Sequence, residues 1–424
     1  MESVRNTLKK NVSVLAVIFL PVSTDHHRMN ISSISRLFKI VVAKHLSAVD
    51  AEPTRSHGHE IGGLSALYSE INTETKIDSV RYTYVGKDDI VSVDGEVTWY
   101  AARAKDPIRS SEWRMYYQDN EVTTSMGEGD FILIGLLHDG SMIFLVVCKD
   151  SGKEDPLCSL FGIQEIRPKG FTVIDPSDRN ASLGLFERSI LDSIGIEYEY
   201  SDDSFLEDLQ HKFNGKFPET SVFSAYARAS LIADADFGNP DNLLVQYLDR
   251  EELFFRTLER VQVEDRLRKG FENVEDFVSY SLAVQNRRKS RAGYALEHHL
   301  EAIFIDYKVK FSKGARTEGN SKPDFLFPGK EAYADISFPE SKLIMLGVKT
   351  SCKDRWRQIL AEASRIPCKH LLTLETPIST EQTTEMKRQN VQLVVPASLH
   401  RAYSGDQQKW LWTFTDFLDF VLHN

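Results

Sequence analysis

Between Leu37 and Leu248 the spacing of apolar residues changes from short alternating runs to recurrences every three or four positions, which divides the chain into two kinds of folding unit. From Leu37 to about Ile174 the apolar segments are short and β-branched. Runs at 38–42, 80–85, 96–100, 131–134 and 142–147 read as strands, separated by turn chemistry at 86–89, 94–95 and 138–141. Many short strands with regular turns predict a β-barrel or sandwich. From Ser224 the period is helical: Leu243, Leu244, Tyr247 and Leu248, then Leu253, Phe254, Leu258 and Val261, continued over 274–284 and 292–307. Strands are expected at 324–327, 343–348 and 391–395, with helices at 355–364 and 410–422. Helices around a mixed sheet make the second unit an α/β domain.

At 424 residues the chain exceeds one typical domain. The expected division is a leader at 1–30, a β-domain at 31–180, a linker at 181–215 and an α/β domain at 216–424. The leader holds an apolar run from Val12 to Val22, too short to span a membrane, and Met29 offers a later start. The first stretch is therefore read as a mis-assigned start or a disordered extension. Cys148, Cys158, Cys352 and Cys368 have neither CxxC pairing nor a zinc-ligand rhythm, so free thiols in a reducing cytoplasm are expected. A net charge of -11 excludes a molecule coated in positive charge, and any nucleic-acid surface must be local. Residues 286–291 supply one such patch, with four cations and no anion, and Lys308, Lys310, Lys313 and Arg316 follow.

Asp324 and Lys349 stand at the ends of two expected strands. A carboxylate and an ammonium so placed are the minimum for holding Mg²⁺ and a water against a phosphodiester. In the broad nuclease pattern PD…(D/E)xK a second acid lies two residues before the lysine, where this chain has Gly347. Glu362, on the helix expected after Lys353, is the next acid able to replace it, and Glu297 is a further candidate ligand. The alternative is a plain strand-end ion pair with a solvated Glu362.

The residues around these positions carry more. Segment 286–293, the Thr317-Glu318-Gly319-Asn320 and Lys322–Pro328 stretches, Val348-Lys349-Thr350, Cys352–Leu360, and Leu393–Pro396 with Ser398-Leu399-His400 closely resemble the EcoRII family of restriction endonucleases over roughly 217–403. The resemblance implies a restriction-endonuclease-like PD-(D/E)XK core whose second acid has moved onto the helix. Asp324 and Glu362 would then bind Mg²⁺, Lys349 would activate or position the water, Glu297 would support the metal site, and Tyr333 would be an active-site neighbour.

Lys353, Asp354 and Arg355 would read a G·C pair in the major groove, a cation donating to guanine and a carboxylate accepting from cytosine. Arg287, Lys289 and Arg291 would grip phosphates or reach base edges. The implied target is 5′-CCWGG in double-stranded DNA, cut before the first cytosine. More weakly, the N-terminal half resembles the family's effector domain, a β-pseudobarrel like that of plant transcription-factor DNA-binding domains. On that analogy residues 54–60 and 103–114, with Arg103, Arg109, Glu112 and Arg114, clasp a second copy of the site and relieve an autoinhibited state.

The implied enzyme is a two-site (type IIE) homodimer in a prokaryotic cytoplasm, with a cytosine methyltransferase as functional partner and no membrane association. The competing readings are a nicking or mismatch nuclease with the same core, and a DNA-binding regulator that has lost cleavage.

Overall fold

A computed structural model describes residues 37–51, 59–71, 76–86, 90–102, 112–149, 151–168, 170–176, 184–193, 202–231, 236–376 and 378–424. The chain divides into two compact units, Met1–Glu199 and Tyr200–Asn424.

The N-terminal unit is built on an eight-stranded sheet: β1 (Phe38–His45), β2 (Glu60–Gly62), β3 (Lys76–Val85), β4 (Ile90–Ala102), β5 (Glu112–Tyr117), β6 (Phe131–Leu137), β7 (Met142–Val147) and β8 (Thr172–Ile174), in the order β2-β5-β4-β3-β7-β6-β1-β8. All pairings are antiparallel except β3 with β7. Strands β6 and β7 are apolar along almost their whole length because both faces are covered. Their connection is the His138–Ser141 turn, where the Ser141 amide donates to Asp139 Oδ1 (2.9 Å) and Gly140 takes φ +85°. Phe38 of β1 lies on Gly135 of β6 so closely that a Cβ there would meet the ring at 2.7 Å. Helices α1 (Ser65–Glu70) and α2 (Glu154–Phe161) flank the sheet, Tyr68 of α1 stacking on Trp113 at 3.6 Å and Phe161 of α2 meeting Phe38 edge-on.

Within the stretch expected as a linker lie α3 (Leu185–Ser193) and α4 (Leu206–Phe213). Helix α4 is part of the C-terminal unit's core: Leu209 is buried with Phe223, Phe254, Phe255 and Leu258. That core joins α4 to α5 (Thr220–Ala229), α6 (Pro240–Lys269) and α7 (Val274–Asp306). The two long helices have legible ends. Asn239 accepts from the Asn242 amide ahead of Pro240, Gly270 closes α6 with φ +75°, and Asn273 accepts from the Asp276 amide to start α7.

Helix α7 leads into a five-stranded sheet, β9 (Ser312–Lys313), β10 (Phe325–Phe327), β11 (Ile344–Lys349), β12 (Lys369–Thr373) and β13 (Val391–Val394), in sequential order. Strands β9, β10 and β11 pair antiparallel, whereas β11, β12 and β13 pair parallel. Helices α8 (Lys330–Ala334), α9 (Thr380–Arg388) and α10 (Phe414–His423) complete the unit. Phe304 of α7 sits on the sheet through edge-to-face contacts of 5.2 Å with both Phe325 and Phe327, and it reaches Phe414 of α10. Where a helix was expected at 355–364, a 3₁₀ helix runs Lys353–Ala361 and ends before Glu362. No helix among the described residues is long and apolar enough to cross a membrane.

One buried carboxylate ties the ends of this unit together. Asp241, at the first turn of α6, accepts from the amides of Ala397 (2.9 Å), Phe414 (3.0 Å) and Thr415 (2.7 Å) and from the Thr415 hydroxyl. It thereby occupies the N-terminus of α10, where a negative charge is favoured. Asp241→Ala strands these buried donors and is expected to cost about 3 kcal/mol of unfolding free energy, read as a lower urea midpoint at unchanged slope.

Candidate active site

Asp324 immediately precedes β10, and the register Phe325↔Leu346 brings it alongside the end of β11. The Val348 amide donates to Asp324 Oδ2 at 2.6 Å, and Lys349 Nζ donates to the same oxygen at 3.1 Å. Both bonds fall on one oxygen, and among the described residues none reaches Oδ1. The two groups are partly open, at 19% and 28% side-chain exposure. They are accessible to a ligand, yet held by a strand pairing that neither can leave alone.

Glu362 and Glu297 approach this pair from different elements. Glu362 follows the 3₁₀ helix, and burial raises its pKa, reinforced by the Asp324 charge and opposed by Lys349 and Lys369. Glu297 projects from α7, two turns before Phe304. Burial raises its pKa as well, with the same Asp324 contribution and opposition from Lys313 and Lys349. Lys313, opposite Phe325 in the β9–β10 pairing, lies 3.7 Å from Glu297 and 3.0 Å from Glu301. No hydrogen bond or ion pair to the Glu362 carboxylate is found among the described residues. Three carboxylates thus share one neighbourhood with less positive charge than would hold them all ionised comfortably.

That donor set fits a hard divalent cation. No group of three His, Cys, Asp or Glu side chains among the described residues is gathered tightly enough to hold an ion alone. Mg²⁺ takes one or two carboxylates and completes its shell with water and substrate phosphate. Among the described residues, Asp324 Oδ1 and both oxygens of Glu362 have no protein partner, and Glu297 meets only Lys313.

The glycine at 347 has a steric cause. A Cβ there would stand 2.9 Å from Cγ2 of Ile359 and 3.6 Å from Leu371. The space where the broad nuclease pattern keeps its second acid is filled by the 3₁₀ helix that leads to Glu362.

Other expected residues are placed less uniformly. Tyr333 is buried on α8, and its hydroxyl donates to Glu318 rather than to the Asp324 group. Arg287 lies 4.8 Å over the Phe217 ring and donates to Gln262, while Lys289 is exposed. Arg291 differs from the expectation of a phosphate-gripping side chain. The run 286–291 lies within α7, and the helical period turns Arg291 inward, where it pairs with Glu251 and Glu252 and stacks on Phe255 at 4.2 Å. Lys353, Asp354 and Arg355 open the 3₁₀ helix, and their side chains lie outside the described residues, as do Arg103, Arg109 and the side chain of Glu112. In the N-terminal unit Arg114 donates to Glu60 Oε2 at 3.0 Å beside a cavity of about 470 Å³ that Lys44, Asp50 and Arg167 also line. The leader at 1–30 is outside the described residues.

The family model described as EcoRII C terminal matches residues 255–418. The type II restriction enzyme EcoRII of Escherichia coli is 33% identical over 393 residues, covering 89% of this chain and 93% of that protein. The chain belongs to the EcoRII family of type II restriction enzymes. It is a type II site-specific deoxyribonuclease. Among solved structures, metal-depleted Ecl18kI in complex with uncleaved, modified DNA is 18% identical with a TM-score of 0.41, over 52% of this chain and 83% of that one. The restriction endonuclease PspGI–substrate DNA complex is 15% identical with a TM-score of 0.40, over 51% and 94%.

Two outcomes follow from this geometry in the EcoRII-family chain. Gly347→Glu, which restores the acid of the broad pattern, is expected to cost about 1–3 kcal/mol through overpacking against Ile359 and to leave Glu362→Ala inactive in a double variant. Glu297 has a folded-state pKa above its unfolded one, so stability rises as pH falls through that range. Glu297→Gln is therefore expected to raise the thermal midpoint of metal-free protein at pH 7, with the gain shrinking as pH approaches the ordinary carboxylate range. A gain that is constant with pH would sink this assignment.

Proposed function

We propose that this enzyme cuts double-stranded DNA at 5′-CCWGG, before the first cytosine, in a Mg²⁺-dependent reaction stimulated when the N-terminal unit binds a second copy of the site. The reading is carried by the 3.1 Å Lys349–Asp324 pair at the adjoining ends of β10 and β11, with Glu362 and Glu297 near enough for the Asp324 charge to oppose their ionisation. Asp324 Oδ1 and the Glu362 carboxylate hold the metal, and Glu297 supports the site. Mg²⁺, when bound, polarises the scissile phosphate and acidifies the attacking water.

Lys349, held 3.1 Å from Asp324 Oδ2, would orient the water and balance charge on the phosphate oxygens. Lys353, Asp354 and Arg355 read a G·C pair, and Lys289 with Arg287 meets the backbone. The N-terminal sheet serves as a β-pseudobarrel effector domain, with Arg103, Arg109, Glu112 and Arg114 at its DNA surface. The active form is a homodimer with one active site for each strand, and a cytosine methyltransferase protects host DNA.

A Mg²⁺-dependent digest tests this on unmethylated plasmids carrying one or several CCWGG sites. Discrete fragments from the multi-site plasmid, with slow cutting of the one-site plasmid, are expected. Lys349→Ala and Glu362→Ala should each lower the rate about 100-fold or more while retaining duplex binding without metal. Nicks alone would point to monomeric single-strand cleavage, and tight binding without cutting by the wild type would point to a regulator.

The acid limb supplies a second test. Glu362 must be ionised to hold the metal, and its raised pKa places the loss of activity above the ordinary carboxylate range of about 4.3. Raising Mg²⁺ should move that limb to lower pH, because the cation competes with the proton.

A further inference from the structure

Beyond the residues that face the metal site, the turn carrying Glu362 is fastened from behind. Glu362 has no helix of its own to fix it, since it ends a 3₁₀ segment and is followed by Ala363 with φ +47°, a left-handed conformation that a non-glycine residue keeps only when its surroundings demand it.

Those surroundings are specific. The Ala363 amide donates to Thr317 Oγ1 (3.4 Å), the Ser364 amide to Glu318 Oε2 (3.2 Å), and the Arg365 amide to the Tyr333 hydroxyl (3.4 Å). Tyr333 in turn donates to Glu318 at 2.6 Å. From the other side the buried Lys369 ammonium donates to the carbonyls of Glu362 and Ala363. Arg365 anchors the far end on the carbonyls of Tyr333, Asp335 and Phe338. Three consecutive amides after Glu362 are thus taken by the 317–318 loop and Tyr333. The same loop runs through Ser321 directly into Asp324, and its Thr317 amide donates to the Ser321 carbonyl at 2.9 Å.

We propose that Glu318 is a positioning residue, which holds the Ala363–Arg365 turn so that Glu362 stays at the distance from Asp324 that one metal ion requires. It sits on the loop of one proposed ligand and binds the turn of the other, with Tyr333 as its fixed partner. Burial opposes its ionisation, but the bonds from Tyr333 and Ser364 win and keep Glu318 a carboxylate. Burial, together with this contact, pushes the Tyr333 hydroxyl up to about 12, so tyrosine remains the donor. This places Tyr333 in the support of the site and gives the neighbouring Glu318 a role that no spacing rule marks.

The inference rests on Glu362 being a metal ligand, and the test separates the two. In the 424-residue chain, Mn²⁺ binding by titration calorimetry without DNA and the Mg²⁺ half-saturation of cleavage are measured for wild type, Glu318→Ala, Glu318→Gln and Tyr333→Phe, with Glu362→Ala beside them. Circular dichroism and metal-free duplex binding report the fold. Glu318→Ala is expected to raise the Mg²⁺ requirement roughly 10- to 100-fold, as loss of a partner behind a metal ligand does. Glu318→Gln keeps an acceptor oxygen and should restore most of it. Tyr333→Phe should fall between, and it carries the test if Glu318→Ala does not fold.

An unchanged Mg²⁺ requirement in the folded Glu318→Ala and Tyr333→Phe proteins overturns the proposal. Equal damage by Gln and Ala also overturns it, since the charge of Glu318 would then be acting on the metal directly. Full activity in Glu362→Ala would overturn the reading beneath it instead.

Discussion

The C-terminal unit's sheet depends on the bond from the Val348 amide to Asp324 Oδ2, a backbone donor at the end of one strand holding a carboxylate at the start of its neighbour. This fixes the β10–β11 pairing at the point where it opens to solvent, and Lys349 closes the same oxygen from the side. The Phe304–Phe325–Phe327 cluster then decides where α7 lies on the sheet, and with it where Glu297 can reach. The polar site is therefore set by an aromatic core a few residues away. A displaced phenylalanine would move a carboxylate without touching it.

Charge in this neighbourhood is arranged at a cost to stability. Glu297 and Glu362 are both harder to ionise than free glutamates, because each is partly buried beside Asp324. Lys349, Lys313 and Lys369 offset part of that repulsion, and Lys369 is itself buried with its ammonium spent on two carbonyls. Carboxylates whose ionisation is opposed by burial and by one another are suited to a cation, whose arrival would relieve that repulsion.

Much of this was legible in the sequence, for reasons that can be named. The long helices announce themselves through period and through Asn239, Pro240, Gly270 and Asn273 at their ends, and Asp324 and Lys349 stand where apolar strands stop. Strand β12 was not legible. It begins with Lys369 and His370, both buried, and burial of such residues depends on partners that lie elsewhere in the chain. His370 is packed among Trp412, Phe417 and Phe420, and burial lowers its pKa to about 4, so it behaves as an aromatic side chain.

The cation run 286–291 misleads in the opposite way. Four positive charges within six residues suggest one surface, but the helical period distributes them around α7, leaving Lys289 outside and delivering Arg291 to Glu251 and Glu252. Glu251 also meets the buried His299 at 2.9 Å, so the arginine is part of a core network.

The position of Glu362 follows from the geometry of the 3₁₀ helix. Residues three apart are eclipsed along such a helix, so Ile359 and Glu362 leave it on about the same side, and the Glu362 amide donates back to the Ile359 carbonyl at 3.1 Å. Packing Ile359 onto the bare backbone of Gly347 brings Glu362 down beside the Asp324–Lys349 pair in the same movement. A side chain at 347 would lift Ile359 and carry Glu362 with it. The bare backbone at Gly347 and the place of Glu362 beside Asp324 are thus two ends of one packing contact.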